Sequence, residues 1–392
     1  MNVVRHSVRL HGNRNLVRTL AFFGISTALF GYLDAQAQSV RIDRSPPFET
    51  TDPVIEWSVD GPRLNPNAFG KYNVTFSHDG DQIGVVHQPN EAWILDATDG
   101  TKALDLKFSD SDTGAYSLDF SPTGELAIGR ERSVELFSPA TGEPIRKFPC
   151  LECVVIYSVS FSSKGDLLVY QNISGMLRPD LGRGATIVSV GDSKNVAKIP
   201  AWSNVTSVAF SADGRRLLVP QFFETDDGLI PGFRVWDTES WEPVLSYKGE
   251  PNDLNLGYVG TGTSKKSGFV VVYGRENTIE MRELETDKVI WSVPLIPPQF
   301  APSESHIVRT ELDRATVAPN GEFVISYESP IGHDPLGHVS GGIVVRNADD
   351  GSIIAVYDVP GVTDIAIAPD SKKFVYATGI AQTHIALVRL PF

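Results

Sequence analysis

The chain of 392 residues has only two cysteines and three methionines. So few thiols exclude a disulfide-framed mini-domain or a thiolate metal cluster. Basic side chains are also scarce, 34 Lys and Arg against 48 Asp and Glu, for a formal charge of −14. Such a surface repels polyanions at long range, and no basic stripe offsets it, so nucleic acid is not expected as a partner. There is no Gly-x-Ser-x-Gly elbow, phosphate-binding loop or zinc-protease helix, which removes the usual supports of hydrolase and nucleotide-driven chemistry. Beyond the N-terminus no apolar run is long enough to cross a bilayer.

The N-terminus reads as a secretory signal over residues 1–37: Arg5, Arg9, Arg14 and Arg18, then the apolar run Leu20 to Leu33, then Ala35-Gln36-Ala37. Cleavage is expected before Gln38. An uncleaved anchor is the alternative, but Gly24, Ser26, Thr27 and Gly31 dilute the run. Loss of four Arg and Asp34 moves the formal charge from −14 to −17. The expectation is a periplasmic or secreted protein with a linker at 38–53 and one domain at 54–392.

Within that domain a short strand ending in Phe-Ser, a polar turn and a second apolar strand recur. Val74-Thr75-Phe76-Ser77-His78-Asp79-Gly80 leads into Ile83 to Val86, and Leu118-Asp119-Phe120-Ser121-Pro122-Thr123-Gly124 into Leu126 to Ile128. Val159 to Gly165 and Val208 to Gly214 repeat the pattern closely, while Val317 to Gly321 and Ile367 to Ser371 keep its outline. A degraded copy is assigned to Leu256 to Tyr273, with Gly260-Thr261-Gly262-Thr263 in place of the turn. Each copy precedes a second hairpin with an Asp/Thr/Gly turn, such as Asp96 to Gly100 or Asn347 to Gly351. Four strands per repeat result, and Phe76, Phe120, Phe161 and Phe210 lie 41 to 49 residues apart. The predicted fold is therefore all-β, a seven-bladed β-propeller. The last copy supplies three strands before Phe392, and the isolated Val54-Ile55-Glu56-Trp57-Ser58-Val59 resembles the fourth strand Val289-Ile290-Trp291-Ser292-Val293. The N-terminal strand is expected to complete the last blade and remove two open sheet edges.

Over nearly all of 54–392 the chain resembles the WD-repeat propellers and their exported bacterial relatives. Trp236-Asp237 reproduces the Trp-Asp pair, Leu95-Asp96 and Phe137-Ser138 are degenerate forms, and the accompanying Gly-His pair is absent from its usual places. Quinoprotein-like and seven-bladed lactonase-like propellers fit the same features. The resemblance implies a binding or scaffold module with a protein partner. Its alternatives are a periplasmic lactonase-like enzyme and a noncatalytic subunit of a quinoprotein or redox complex.

Strand alternation puts the first-to-second and third-to-fourth turns at one end of the barrel and the second-to-third loops at the other. The latter are long at Gln171 to Gly184, Gln221 to Gly232 and Glu328 to Gly342, with extended connections at Gly249 to Leu256 and Pro294 to Ser305 nearby. Variable loops on a rigid scaffold commonly carry binding residues. Candidate contacts are Met176, Arg178, Arg183, Phe222, Phe223, Glu224, Asp226, Asp227, His333, Asp334 and His338. The last three form a local His/Asp cluster, but their spacing matches no two-histidine motif and a structural zinc needs about four ligands. Neither a metal nor a cofactor is therefore expected. Cys150 and Cys153 are expected to form a disulfide in an exported protein, and Val154 stands where haem attachment requires histidine. No catalytic residue is assigned.

Overall fold

A computed structural model describes residues 49–392 except 62–71, 88–90, 109–113, 152, 174–183, 201–207, 227, 250–258, 265–267, 276, 297–308, 332–340 and 380–383. The expected signal and most of the expected linker lie outside the described residues. Twenty-eight strands among those described form seven antiparallel four-stranded sheets arranged as propeller blades. Blade 1 consists of Tyr72–Phe76, Gln82–His87, Glu91–Asp96 and Lys102–Asp105, counted from the inside outwards. Blades 2 to 6 begin with the inner strands Ala115–Phe120, Val155–Phe161, Ala209–Phe210, Val259–Ser264 and Arg309–Val317. In blade 7, Val362–Ile367, Lys373–Thr378 and His384–Arg389 are completed by Val54–Asp60, as the sequence led us to expect. Glu56 of the sealing strand pairs with Lys373 at 2.7 Å and Arg389 at 2.6 Å, and holds its carboxyl below the ordinary range chiefly through the Lys373 hydrogen bond.

The recurrent Phe-Ser motif has a local cause. Ser77 Oγ donates to Asp79 at 2.6 Å and accepts from Gln82 N at 2.9 Å, bracing a turn whose Gly80 adopts φ +81°. Ser211, Asp213 and Arg216 repeat that geometry. Phe76, Phe120 and Phe161 are buried, with Phe210 half-buried between blades. Each core cluster lies where adjacent sheets face each other, so burial is distributed around the ring. The Trp236-Asp237 pair has an architectural role. Asp237 accepts from Glu239 N at 3.0 Å and Ser240 N at 2.9 Å, which forms the turn to the outer strand.

Three segments differ from the sequence reading. Gly260 to Thr263 is no turn but part of the inner strand of blade 5, Val259–Ser264. A Cβ on Gly260 would lie 2.4 Å from Ala315 O, and one on Gly262 2.4 Å from Val317 Cβ, so the glycines admit the neighbouring strand of blade 6. Gln221 to Gly232 is mostly β-structure: Arg216–Thr225 pairs continuously with Gly228–Asp237, and that hairpin extends about 13 Å beyond the shorter ones at ~3.3 Å per residue. Glu328 likewise belongs to the strand Phe323–Ile331 rather than to a loop.

Candidate functional site

Polar side chains of the inner strands link neighbouring blades. Asn73 Nδ2 donates to Tyr116 O at 2.7 Å, and Ser117 Oγ donates to Ile156 O at 3.0 Å. Phe161 N donates to Asp119 Oδ2 at 2.8 Å, Val208 N to Ser158 Oγ at 3.1 Å, and Val74 N to Asp364 Oδ2 at 3.0 Å. Arg314 donates from Nε to Thr363 O at 3.1 Å and pairs with Asp364 at 3.7 Å. Backbone register shifts at Ala115/Ser117, Ile156/Ser158, Leu312/Arg314 and Val362/Asp364 place extra residues at corresponding places in four blades. Such bulges re-aim side chains.

Tyr116 and Tyr157 occupy two of these bulges, their ring centroids 5.4 Å apart. The Tyr116 hydroxyl reaches Glu131, on the second-to-third turn of blade 2, at 3.4 Å. Burial, then the Glu131 charge, pushes its pKa up to about 12, so it remains a neutral donor. A cavity of about 110 Å³ lies among Asn73, Ser117, Tyr157, Arg314 and Asp364. Small-molecule sites commonly occupy ~300–1,000 Å³. Its polar groups chiefly tie blades together, which makes the surrounding face the better candidate for recognition. Neither the inter-blade hydrogen bonds nor the bulges are announced by a sequence motif.

On that face the described candidates divide. Asp226 is exposed at the tip of the blade 4 hairpin, where Thr225 Oγ1 donates to Gly228 O at 2.8 Å. Phe222 and its neighbour Phe223 occupy alternate strand positions. Phe222 is half-buried, while Phe223 is 5% exposed. Arg234 and Lys248 stand over the Phe223 ring at 5.0 and 5.4 Å, and Gly232 leaves room for it. The structure thus places Phe223 inside the hairpin rather than on its surface. Phe223 supports the hairpin from within, and Asp226 and part of Phe222 remain available. Glu224 is exposed on the same hairpin. Met176, Arg178, Arg183, Asp227, His333, Asp334 and His338 lie outside the described residues.

Glu328 is enclosed, its carboxylate accepting from Ile296 N at 2.6 Å and Ser326 Oγ at 2.9 Å and pairing with Arg346 at 3.1 Å. Arg346 also donates to Pro294 O at 3.1 Å and Gly351 O at 3.2 Å. This cluster anchors the base of the blade 6 hairpin without presenting a charge at its tip. Cys150 and Cys153 are disulfide-bonded in the structure, both buried, beneath an 87% exposed Leu151. Among the described residues no group of three His, Cys, Asp or Glu side chains is arranged to hold a metal. Among those residues no helix is long and apolar enough to span a membrane.

The sheet order and ring define a seven-bladed, WD-repeat-like β-propeller. A chain of the crystal structure described as the mitotic checkpoint complex superposes with a TM-score of 0.65 at 14% identity, covering 91% of this chain and 99% of that one. No family model matches the sequence, and no match was found among curated proteins. The 1435 matching solved chains establish a widely used fold, which by itself does not choose a function.

Proposed function

We propose that the mature protein is an exported binding scaffold that engages a protein partner through the face carrying the second-to-third-strand hairpins. The observation that carries this reading is the difference between the two ends of the propeller. Four of the six first-to-second turns seen in full are braced by a serine hydroxyl with glycine at the left-handed position, the blade 6 turn keeps the glycine with Ala318 in the serine's place, and Ser371 takes that conformation in the sixth. At the other end, hairpins range from the five-residue strands of blade 2 to the ten-residue pair of blade 4. Variation confined to one end leaves blade packing intact while diversifying a contact surface. The fold likeness to a chain from a complex accords with such a role. Export rests on the N-terminal arginines, apolar run and Ala-Gln-Ala sequence.

Crosslinking the protein in its native extract, followed by peptide mapping, tests the face. Crosslinks should reach Lys248 and the blade 4 hairpin rather than Lys164 or Lys372 of the opposite turns. Crosslinks confined to the latter would reverse the assignment. Sequencing the mature N-terminus tests export separately, with Gln38 as the expected first residue.

A further inference from the structure

The root of the blade 4 hairpin brings two cations together in a chain whose formal charge is −14. Strand register explains their approach. Gly232 lies opposite Gln221 on one side and Lys248 on the other, and Arg234 follows two residues along the same strand. Paired and alternate residues of a sheet share a face, so Phe223, Gly232, Arg234 and Lys248 project on the same side. A Cβ at Gly232 would lie 2.6 Å from the Phe223 ring, which therefore fills the space a side chain there would take. Arg234 and Lys248 flank that space and reach the ring from their own positions, 5.0 and 5.4 Å from its centroid. Phe223 is buried, so it positions the two charges rather than presenting a surface.

The charges stand within roughly one Debye length of each other, about 10 Å at 0.1 M salt, and repel. The ring attracts both cations without neutralising either. Among the described residues no ion pair joins Arg234 or Lys248 to a carboxylate, and Arg234 Nε is enclosed without a hydrogen-bond acceptor. Glu224 of the same hairpin is paired with Leu229 and projects on the opposite face. Lys248 is exposed and Arg234 half-buried. A guanidinium and an ammonium held side by side suit an incoming carboxylate, which would relieve their repulsion.

We propose that Arg234 and Lys248 take an aspartate or glutamate from an acidic segment of the protein partner. This inference rests on the hairpin-face reading and names the chemistry that face selects. Charge complementarity fixes the register, and the acidic surface elsewhere repels segments whose carboxylates miss the pair.

Acetyl-Gly-Asp-Leu-Asp-Leu-Gly amide carrying an uncharged fluorophore, titrated into the mature chain at low salt, supplies the test. Saturable binding is expected, weakened by added salt. It should fall about fivefold or more in Arg234→Gln/Lys248→Gln with unchanged near-UV circular dichroism, and Lys248→Gln alone, at an exposed position, should already weaken it. Lys164→Gln/Lys372→Gln removes the same charge from the opposite turns and should leave binding unaltered. No saturable binding, equal binding by the Gly-Lys-Leu-Lys-Leu-Gly counterpart, or equal weakening by the two double variants would overturn the proposal. Any of these results together with extract crosslinks to the hairpin would leave the face assignment standing. Specific peptide binding with extract crosslinks confined to Lys164 or Lys372 would instead overturn the face assignment alone.

Discussion

Trp57 donates its indole N–H to the carbonyl of Ala97 at 3.0 Å, across the seam where the N-terminal strand closes the ring. Trp291 repeats the bond to Ala348 at 2.9 Å between blades 5 and 6. The first seam joins chain ends and the second joins consecutive blades, yet the same side chain performs both unions. Gly100 and Gly351 lie against the respective indoles, each with φ +73°. The sealing strand thus has the same packing role as an internal outer strand.

Gly100→Ala would place a methyl 2.5 Å from the Trp57 ring, whereas Gly124→Ala, also at positive φ, would enter open space. Backbone strain alone predicts a loss of about 1–2 kcal/mol at either position. Overpacking adds roughly 1–3 kcal/mol at Gly100. Urea unfolding should therefore show Gly100→Ala as the more damaging change. Equal losses would mean that the Trp57 contact does not constrain the seam.

At Glu328 the expected effect comes from an uncompensated buried charge. Glu328→Gln leaves Arg346 enclosed without its anionic partner, and the predicted cost is about 3–5 kcal/mol. Glu143→Gln, at an exposed 3.4 Å pair with Lys107, should cost no more than ~1 kcal/mol. Chemical unfolding of the two variants checks the contrast. For the same reason, a variant shortening the blade 6 loop must leave Glu328 in place and replace only residues 332–340.

Asp119 gives a pH dependence with a defined sign. The residue is half-buried, its carboxyl enclosed at the seam of blades 2 and 3, and desolvation pushes the pKa up to about 7 despite hydrogen bonds from Phe161, Phe120 and Ser160. A folded pKa above the unfolded value means that the native protein retains the proton longer, so stability falls as pH rises from about 4 through 7. Asp119→Asn keeps an acceptor for Phe161 and removes the ionisation. Its advantage over the parent should be greatest near pH 8 and vanish below about pH 4, measured by thermal melting at several pH values. A pH-independent difference would contradict the assignment.

The blades were legible because Ser77, Ser121, Ser162 and Ser211 each serve a local turn, and local hydrogen bonds leave a sequence pattern. Trp57 revealed the seal through its likeness to Trp291 on another outer strand. Blade 5 was less legible because Gly260 and Gly262 answer to close approach by blade 6, a nonlocal demand. Phe223 and Glu328 were read as loop residues because charge, glycine and proline surround them. Their burial depends on Arg234, Lys248 and Arg346 from other strands.

The hairpin face is tested most directly by comparing partner recovery from parallel crosslinked extracts. Phe222→Ser/Asp226→Ser alters the accessible part of the blade 4 hairpin while retaining Phe223, and replacement of 332–340 by a Gly-Asn turn alters blade 6 while retaining Glu328. Asp349→Ser alters the opposite end. We predict loss of the recovered partner in both hairpin variants, with melting temperatures close to the parent, and normal recovery with Asp349→Ser. Retention by both hairpin variants together with loss in Asp349→Ser would contradict the proposed binding face.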